Sequence, residues 1–224
     1  MIPYKDDNPT YRIPVITIII IVLNILAFFL QMAYPSGFKE VAYAYGAIPH
    51  SILTFESTQP IHPAATIFTS MFMHGGLFHL GGNMLYLWIF GNNIEDKLGH
   101  IRFVIFYIVC GIFSAYAHAI SNANSTIPMI GASGAVSGIL GAYLLLFPRA
   151  NIHTLIFLGF FITTVRIPAL IVIGFWAIIQ FINGLISTGL NEAGGVAWFA
   201  HIGGFLMGLL TVKLWLPRRV RQWL

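Results

Sequence analysis

Four polar side chains lie in stretches otherwise apolar enough for hydrocarbon: His79, Asn83, Ser133 and His201. Polar groups are costly there, so each is a functional candidate. A serine hydroxyl beside an imidazole can act as a nucleophile activated by a base. The residues can be compared by depth. His79 precedes Phe90 by 11 positions, Ser133 precedes Phe147 by 14, and His201 precedes Trp215 by 14. At helical rise these are about 16 to 21 Å, which places all three at similar depth in the outer half of the membrane. Asn83 follows His79 by one turn on the same face. A lone membrane serine ordinarily bonds the carbonyl four residues earlier, and glycine stripes ordinarily let helices pack closely. Here the two features coincide. Gly134, Gly138 and Gly141 form a stripe flanked by Ser133 and Ser137, and His201 shares a stripe with Gly204 and Gly208. If these faces meet, Ser133 and His201 come within hydrogen-bond reach.

The rest of the inventory narrows the chemistry. All seven acids (Asp6, Asp7, Glu40, Glu56, Glu95, Asp96, Glu192) fall in tails, loops or span ends. No carboxylate is placed to complete a triad, so the expected unit is a dyad of Ser133 and His201. A metal site is not expected either, since His74 and His79 are five apart, no HExxH occurs and no acid is near. No cofactor is implied. A proton or ion pathway would carry an intramembrane acid. Gly131-Ala132-Ser133-Gly134-Ala135 is not the GxSxG elbow, because position 135 is alanine. The single cysteine, Cys110, excludes an internal disulfide.

Composition dictates the elements that position these groups. Of 224 residues, 58% are apolar and 8% charged, against roughly 25% charged in a soluble domain. A soluble, disordered or nucleic-acid-binding protein is excluded, and the net charge of +4 needs a membrane explanation. Apolar runs at 13–34, 66–91, 167–186 and 198–216, with 103–148 divided by the polar break 121–126 and Pro128, predict six helical spans. Ten of the eleven basic residues then share one side, and only Lys39 lies on the other. Both termini are therefore expected in the cytosol. The expectation is an all-α membrane protein: a cytosolic tail at 1–12, a six-span domain at 13–216 and a basic cytosolic tail at 217–224. The apolar loop 35–65 is expected in the outer interface. The segment 152–165 is too short to span and is expected to lie at the interface or against the bundle.

Three motifs in this order resemble the rhomboid family of intramembrane serine proteases. They are His74-Gly75-Gly76-Leu77-Phe78-His79-Leu80-Gly81-Gly82-Asn83, Gly131-Ala132-Ser133-Gly134, and Ala200-His201-Ile202-Gly203-Gly204 with Gly208. The resemblance covers nearly the whole chain. It implies a six-span rhomboid-like bundle in which Ser133 is the nucleophile and His201 its base. His79, Asn83 and the Ser133 N–H are implied around the oxyanion, and His74 as a structural histidine beneath the first loop. It implies cleavage of transmembrane-anchored proteins near the outer face, with protein substrates and lipids as partners and neither metal nor nucleic acid. The location implied is a bacterial-type cytoplasmic membrane. A relative that binds transmembrane clients without cutting is the alternative function. Two positions depart from the family pattern. Ala65-Thr66 stands where many members have Trp-Arg, and Ser137 stands where many have an aromatic stacked on the histidine. The orientation of His201 is therefore expected to rest on other neighbours. A lateral gate between spans two and five is also implied. Phe175 and Trp176 could close it against Gly81 or Gly82, and the Gly-rich loop 187–197 after span five would give it freedom.

Overall fold

A computed structural model of the chain describes residues 2–35, 37–159, 161–189 and 196–217. Four helices are long and apolar enough to cross a membrane: α1 (Val15–Met32), α7 (His100–Ser121), α9 (Ala169–Gly189) and α10 (Trp198–Trp215). The shorter apolar helix α8 (Ser133–Leu146) sits at the centre and packs on both α7 and α10. The loop 35–65 contains two short helices, α2 (Phe38–Tyr45) and α3 (Pro49–Thr54). The flexible loop expected at 187–197 and the tail at 217–224 lie largely outside the described residues.

The run 66–91, expected as one span, is broken. Helix α4 (Pro63–Ser70) stops, the chain turns through His74-Gly75-Gly76, and α5 (Leu77–Tyr86) begins. A wider π-helical turn at Leu87–Gly91 leads into α6 (Asn92–Leu98). The break is possible in an apolar setting because its backbone is satisfied. Gln31 on α1 donates through Nε2 to the His74 carbonyl (3.2 Å) and accepts from the His74 N–H through Oε1 (3.1 Å). An unpaired backbone group there would cost several kcal/mol, of order the figure for hydrocarbon.

The all-α expectation is corrected. Strands β1 (Ile2–Asp6), β2 (Asn151–Leu158) and β3 (Phe161–Pro168) form an antiparallel sheet in the order β1-β2-β3. Hence the segment 152–165, expected at the interface or against the bundle, is built as a β-hairpin that pairs with the N-terminal strand. The physical reason is legible afterwards. Ile152, Thr154, Ile156, Ile162, Thr163, Thr164, Val165 and Ile167 are β-branched, and Gly159 turns the chain at φ +62°. Pro3, which cannot donate, lies on the edge strand β1 beside a register shift.

Hydrogen bonds tie the N-terminal tail, α6 and the base of α8 together at one end. The Asp6 carboxylate accepts from Tyr143 (2.6 Å) and from Asn93 (2.8 Å). Burial pushes the Asp6 carboxyl up, whereas the hydrogen bond from His153 holds the Asp7 carboxyl below its usual range. Glu95 receives the N–H groups of Ile16 and Thr17 and the Thr17 hydroxyl, which caps α1. At the other end, Ala47 pairs with Met129 and the His50 N–H donates to Ser125. Loops 35–65 and 121–132 thus share one end, and the tail, α6 and the β2–β3 segment share the other.

The glycine stripes bring α8 and α10 into main-chain contact. A Cβ on Gly204 would fall on the Gly134 carbonyl, and one on Gly208 on the Gly138 carbonyl. On α8, Gly134 abuts Ser114, and Gly141 abuts the Phe205 carbonyl. Backbone cannot yield as a flexible side chain can. Gly208→Leu is therefore expected to cost about 3 kcal/mol or more, the upper end for overpacking, and to lower the melting temperature in detergent accordingly. Gly81→Ala, where a Cβ would meet open space, should leave that melting temperature nearly unchanged.

Candidate active site

Ser133 is the first residue of α8. The segment before it is held from two sides: Met129 pairs with Ala47, and the Gly131 N–H donates to the Ser70 carbonyl (2.8 Å). As a first-turn residue, Ser133 has no intrahelical acceptor for its own N–H. His201 is in the first turn of α10. The glycine contacts one residue beyond Ser133 and three beyond His201 set the two helices close enough that Ser133 Oγ and His201 Nε2 lie 2.8 Å apart. The back-bond habit of membrane serines is taken by Ser137, whose hydroxyl donates to the Ser133 carbonyl (2.6 Å). Ser133 itself turns toward the imidazole.

His79 and Asn83 border the same space. The Gly75 N–H donates to His79 Nδ1 (3.2 Å), so the neutral ring carries its proton on Nε2. That Nε2 faces Gly131, where a Cβ would lie 2.9 Å from it. Gly131 also has φ +131°, so both space and backbone require glycine. Asn83 donates one amide hydrogen to the His79 carbonyl (3.0 Å), which leaves the second hydrogen for another acceptor. A cavity of about 670 Å³ joins His79, Asn83, Ser133 and His201. His74 is fully buried beneath it, edge-on to His79 with centroids 5.1 Å apart. Among the described residues no group of three or more His, Cys, Asp or Glu could hold a metal ion.

Trp176 does not close against Gly81 or Gly82, beside which there is open space. Its ring packs on His201 and Phe205, with centroids 6.0 Å away in each case. The reason is that α9 packs on α10, so its inward aromatic meets that helix first. Trp198 adds an edge contact to the His201 ring at 6.3 Å. The His201 ring is thus packed by these two tryptophans, in line with the expectation that its orientation rests on neighbours other than Ser137.

Sequence reasoning missed Gln180. Its Oε1 lies 2.7 Å from His201 Nδ1. A signal was present, because Gln180 is a polar residue amid the apolar run Ala169-to-Ile182 of α9, and the rule that singled out Ser133 applies to it equally.

Chemically, the arrangement allows the Ser133 hydroxyl proton to pass to His201 and offers donors nearby for a developing negative charge. Fold and site define a multi-pass helical membrane protein with a paired serine and histidine in a cavity between its helices. A family model described as the Rhomboid domain matches residues 62–218. The chain belongs to the rhomboid family. It is 30% identical over 217 residues to Rhomboid protease GluP of Bacillus subtilis, covering 96% of this chain and 37% of that protein. It is 34% identical over 155 residues to Rhomboid protein 1, mitochondrial, of Saccharomyces cerevisiae, covering 65% and 40% respectively. Presenilin-associated rhomboid-like protein, mitochondrial, of Bos taurus is 33% identical over 97 residues, 42% of this chain and 26% of that protein. The chain spans about two fifths of the length of the first two of these relatives.

Proposed function

We propose that the protein is an intramembrane serine endopeptidase that cleaves transmembrane-anchored proteins near the outer membrane face. The observation that carries this reading is the 2.8 Å approach of Ser133 Oγ to His201 Nε2 inside a cavity. As Ser133 Oγ attacks the scissile carbonyl carbon, its proton passes to His201 Nε2. The resulting oxyanion is met by the Ser133 N–H, the Asn83 amide and His79 Nε2–H. Collapse breaks the C–N bond, and His201 returns the proton to the leaving amine. Water then attacks the acyl-enzyme, gives its proton to His201, and the acid departs as Ser133 recovers its hydrogen.

The accompanying topology is six crossings. The run from α5 to α6 and the short α8 supply the two beyond the four long helices, and both termini are cytosolic. The alternation of loop positions and the placement of Lys and Arg support this. Residues 1–12 and 217–224 are the cytosolic tails, and 13–216 the protease domain. The partners are transmembrane-helix proteins and the lipids of a bacterial-type cytoplasmic membrane. Trp176 shields the pair from lipid, and α9 is the wall that moves to admit a substrate helix.

Purified protein in vesicles with a model transmembrane substrate tests the reading. Two fragments meeting at one bond, mapped by mass spectrometry near the outer face, are expected. Substrate that binds but stays intact would make the chain a non-cleaving member instead.

A further inference from the structure

We propose that Gln180 is the positioning residue of His201, holding the imidazole in the tautomer that can accept the Ser133 proton. The proposal rests on reading Ser133 and His201 as nucleophile and base. It follows from an accounting of donors and acceptors. Gln180 Nε2 lies 3.3 Å from the Trp176 carbonyl, and a carbonyl can only accept. The amide nitrogen must therefore face Trp176, which turns Oε1 toward His201 Nδ1 at 2.7 Å. An amide oxygen also can only accept, so Nδ1 must carry the hydrogen. A neutral ring with its proton on Nδ1 has its lone pair on Nε2, the atom 2.8 Å from Ser133 Oγ. The opposite tautomer would set two lone pairs against each other at Gln180 and would aim an N–H at the serine. It could not take the proton.

Gln180 is 6% exposed, whereas its neighbours Ile178, Ile179, Phe181 and Ile182 face outward. It thus points inward on the same face as Ile173 and Trp176, from a helix whose adjoining side chains face outward. A carboxylate there would bring a charge that is costly at membrane depth, whereas the amide accepts the hydrogen bond while neutral. The amide gives up some support for the imidazolium, because hydrogen bonds involving an ionised partner are about twice as strong. Trp176, one turn before Gln180, covers the ring of the same histidine. One turn of α9 therefore fixes both the plane and the proton of the base.

The test compares wild type, His201→Ala, Gln180→Leu and Gln180→Glu in one detergent, per folded molecule. The readout is the rate of modification by a fluorophosphonate from pH 3 to 9. In that reaction Ser133 Oγ bonds phosphorus, the P–F bond breaks, and the serine proton leaves through His201. Wild type should be labelled at Ser133 and His201→Ala should not. Gln180→Leu should react about 10- to 100-fold more slowly, since both tautomers and other ring planes become accessible. Gln180→Glu keeps an acceptor and should recover most of the rate at high pH. Its acidic limb should move up by about one pH unit, because a carboxylate favours the imidazolium. Wild-type rates in Gln180→Leu would overturn the proposal. So would equal losses in both variants with an unmoved acidic limb, which would make Gln180 only a packing residue. Absence of labelling in wild type, or full labelling of His201→Ala, would instead sink the serine–histidine reading and the proposal with it.

Discussion

Ser133→Ala and His201→Ala are each expected to abolish cleavage of a transmembrane substrate, and the double variant to be no worse than either single one. In the proposed reaction the two groups act on one proton, so removing either leaves the other without a task, and such losses do not add. Folding should survive both changes. Ser133 is the first residue of α8, and the 2.8 Å bond of its hydroxyl to His201 is a small part of an α8–α10 contact otherwise made by glycine backbone. His201→Ala leaves the helix contact intact, because that contact is made by Gly204 and Gly208. The measurement is product formed per folded molecule, with melting curves recorded beside it. Turnover in Ser133→Ala above that of a mock preparation would remove the serine from the chemistry. Turnover in His201→Ala at a wild-type level would remove the base.

Asn83→Ala is expected to lower turnover by about 10² to 10³, the usual loss for one oxyanion donor, with little change in KM. The competing account is that Asn83 only stabilises its helix, and the bond to the His79 carbonyl gives that account some substance. The two differ in what they predict. The bond lies within one helix, so its loss should barely alter the melting temperature. Asn83 lines the cavity, so the loss of its remaining amide hydrogen should appear in kcat. Unchanged kcat with a lower melting temperature would reverse the assignment. Chelators should leave wild-type turnover unaltered, since no step proposed here passes through a metal.

Much of this arrangement is legible in the sequence, and the limits have physical causes. Apolar runs located α1, α7, α9 and α10 because hydrocarbon thickness and helical rise impose a length. The stripes through Gly134 and Gly204 announced a close contact because only glycine permits backbone to touch backbone. The break at His74-Gly75-Gly76 was hidden because no charged residue interrupts the run on either side, and the side chain that satisfies its backbone, Gln31, lies 43 residues away. The sheet was missed for a related reason. Length and composition excluded 152–165 as a span, but the pairing of β2 with residues 2–6 is long-range. Gln180 was overlooked although it obeys the rule applied to Ser133. A single amide amid isoleucines gives no indication of which partner satisfies it until α9 is set against α10.

The cavity beside Ser133 has a consequence for the second half of the reaction. At about 30 Å³ per molecule of liquid, its 670 Å³ has room for on the order of twenty water molecules. An acyl-enzyme formed there would face a small reservoir rather than a single molecule diffusing in from solution. Water supply would then not limit its breakdown. The departing amine, held in a helix that returns to lipid, would compete poorly with that many hydroxyl groups. Resealing of the cut would then be slow relative to hydrolysis, because water would reach the acyl carbon from within the cavity.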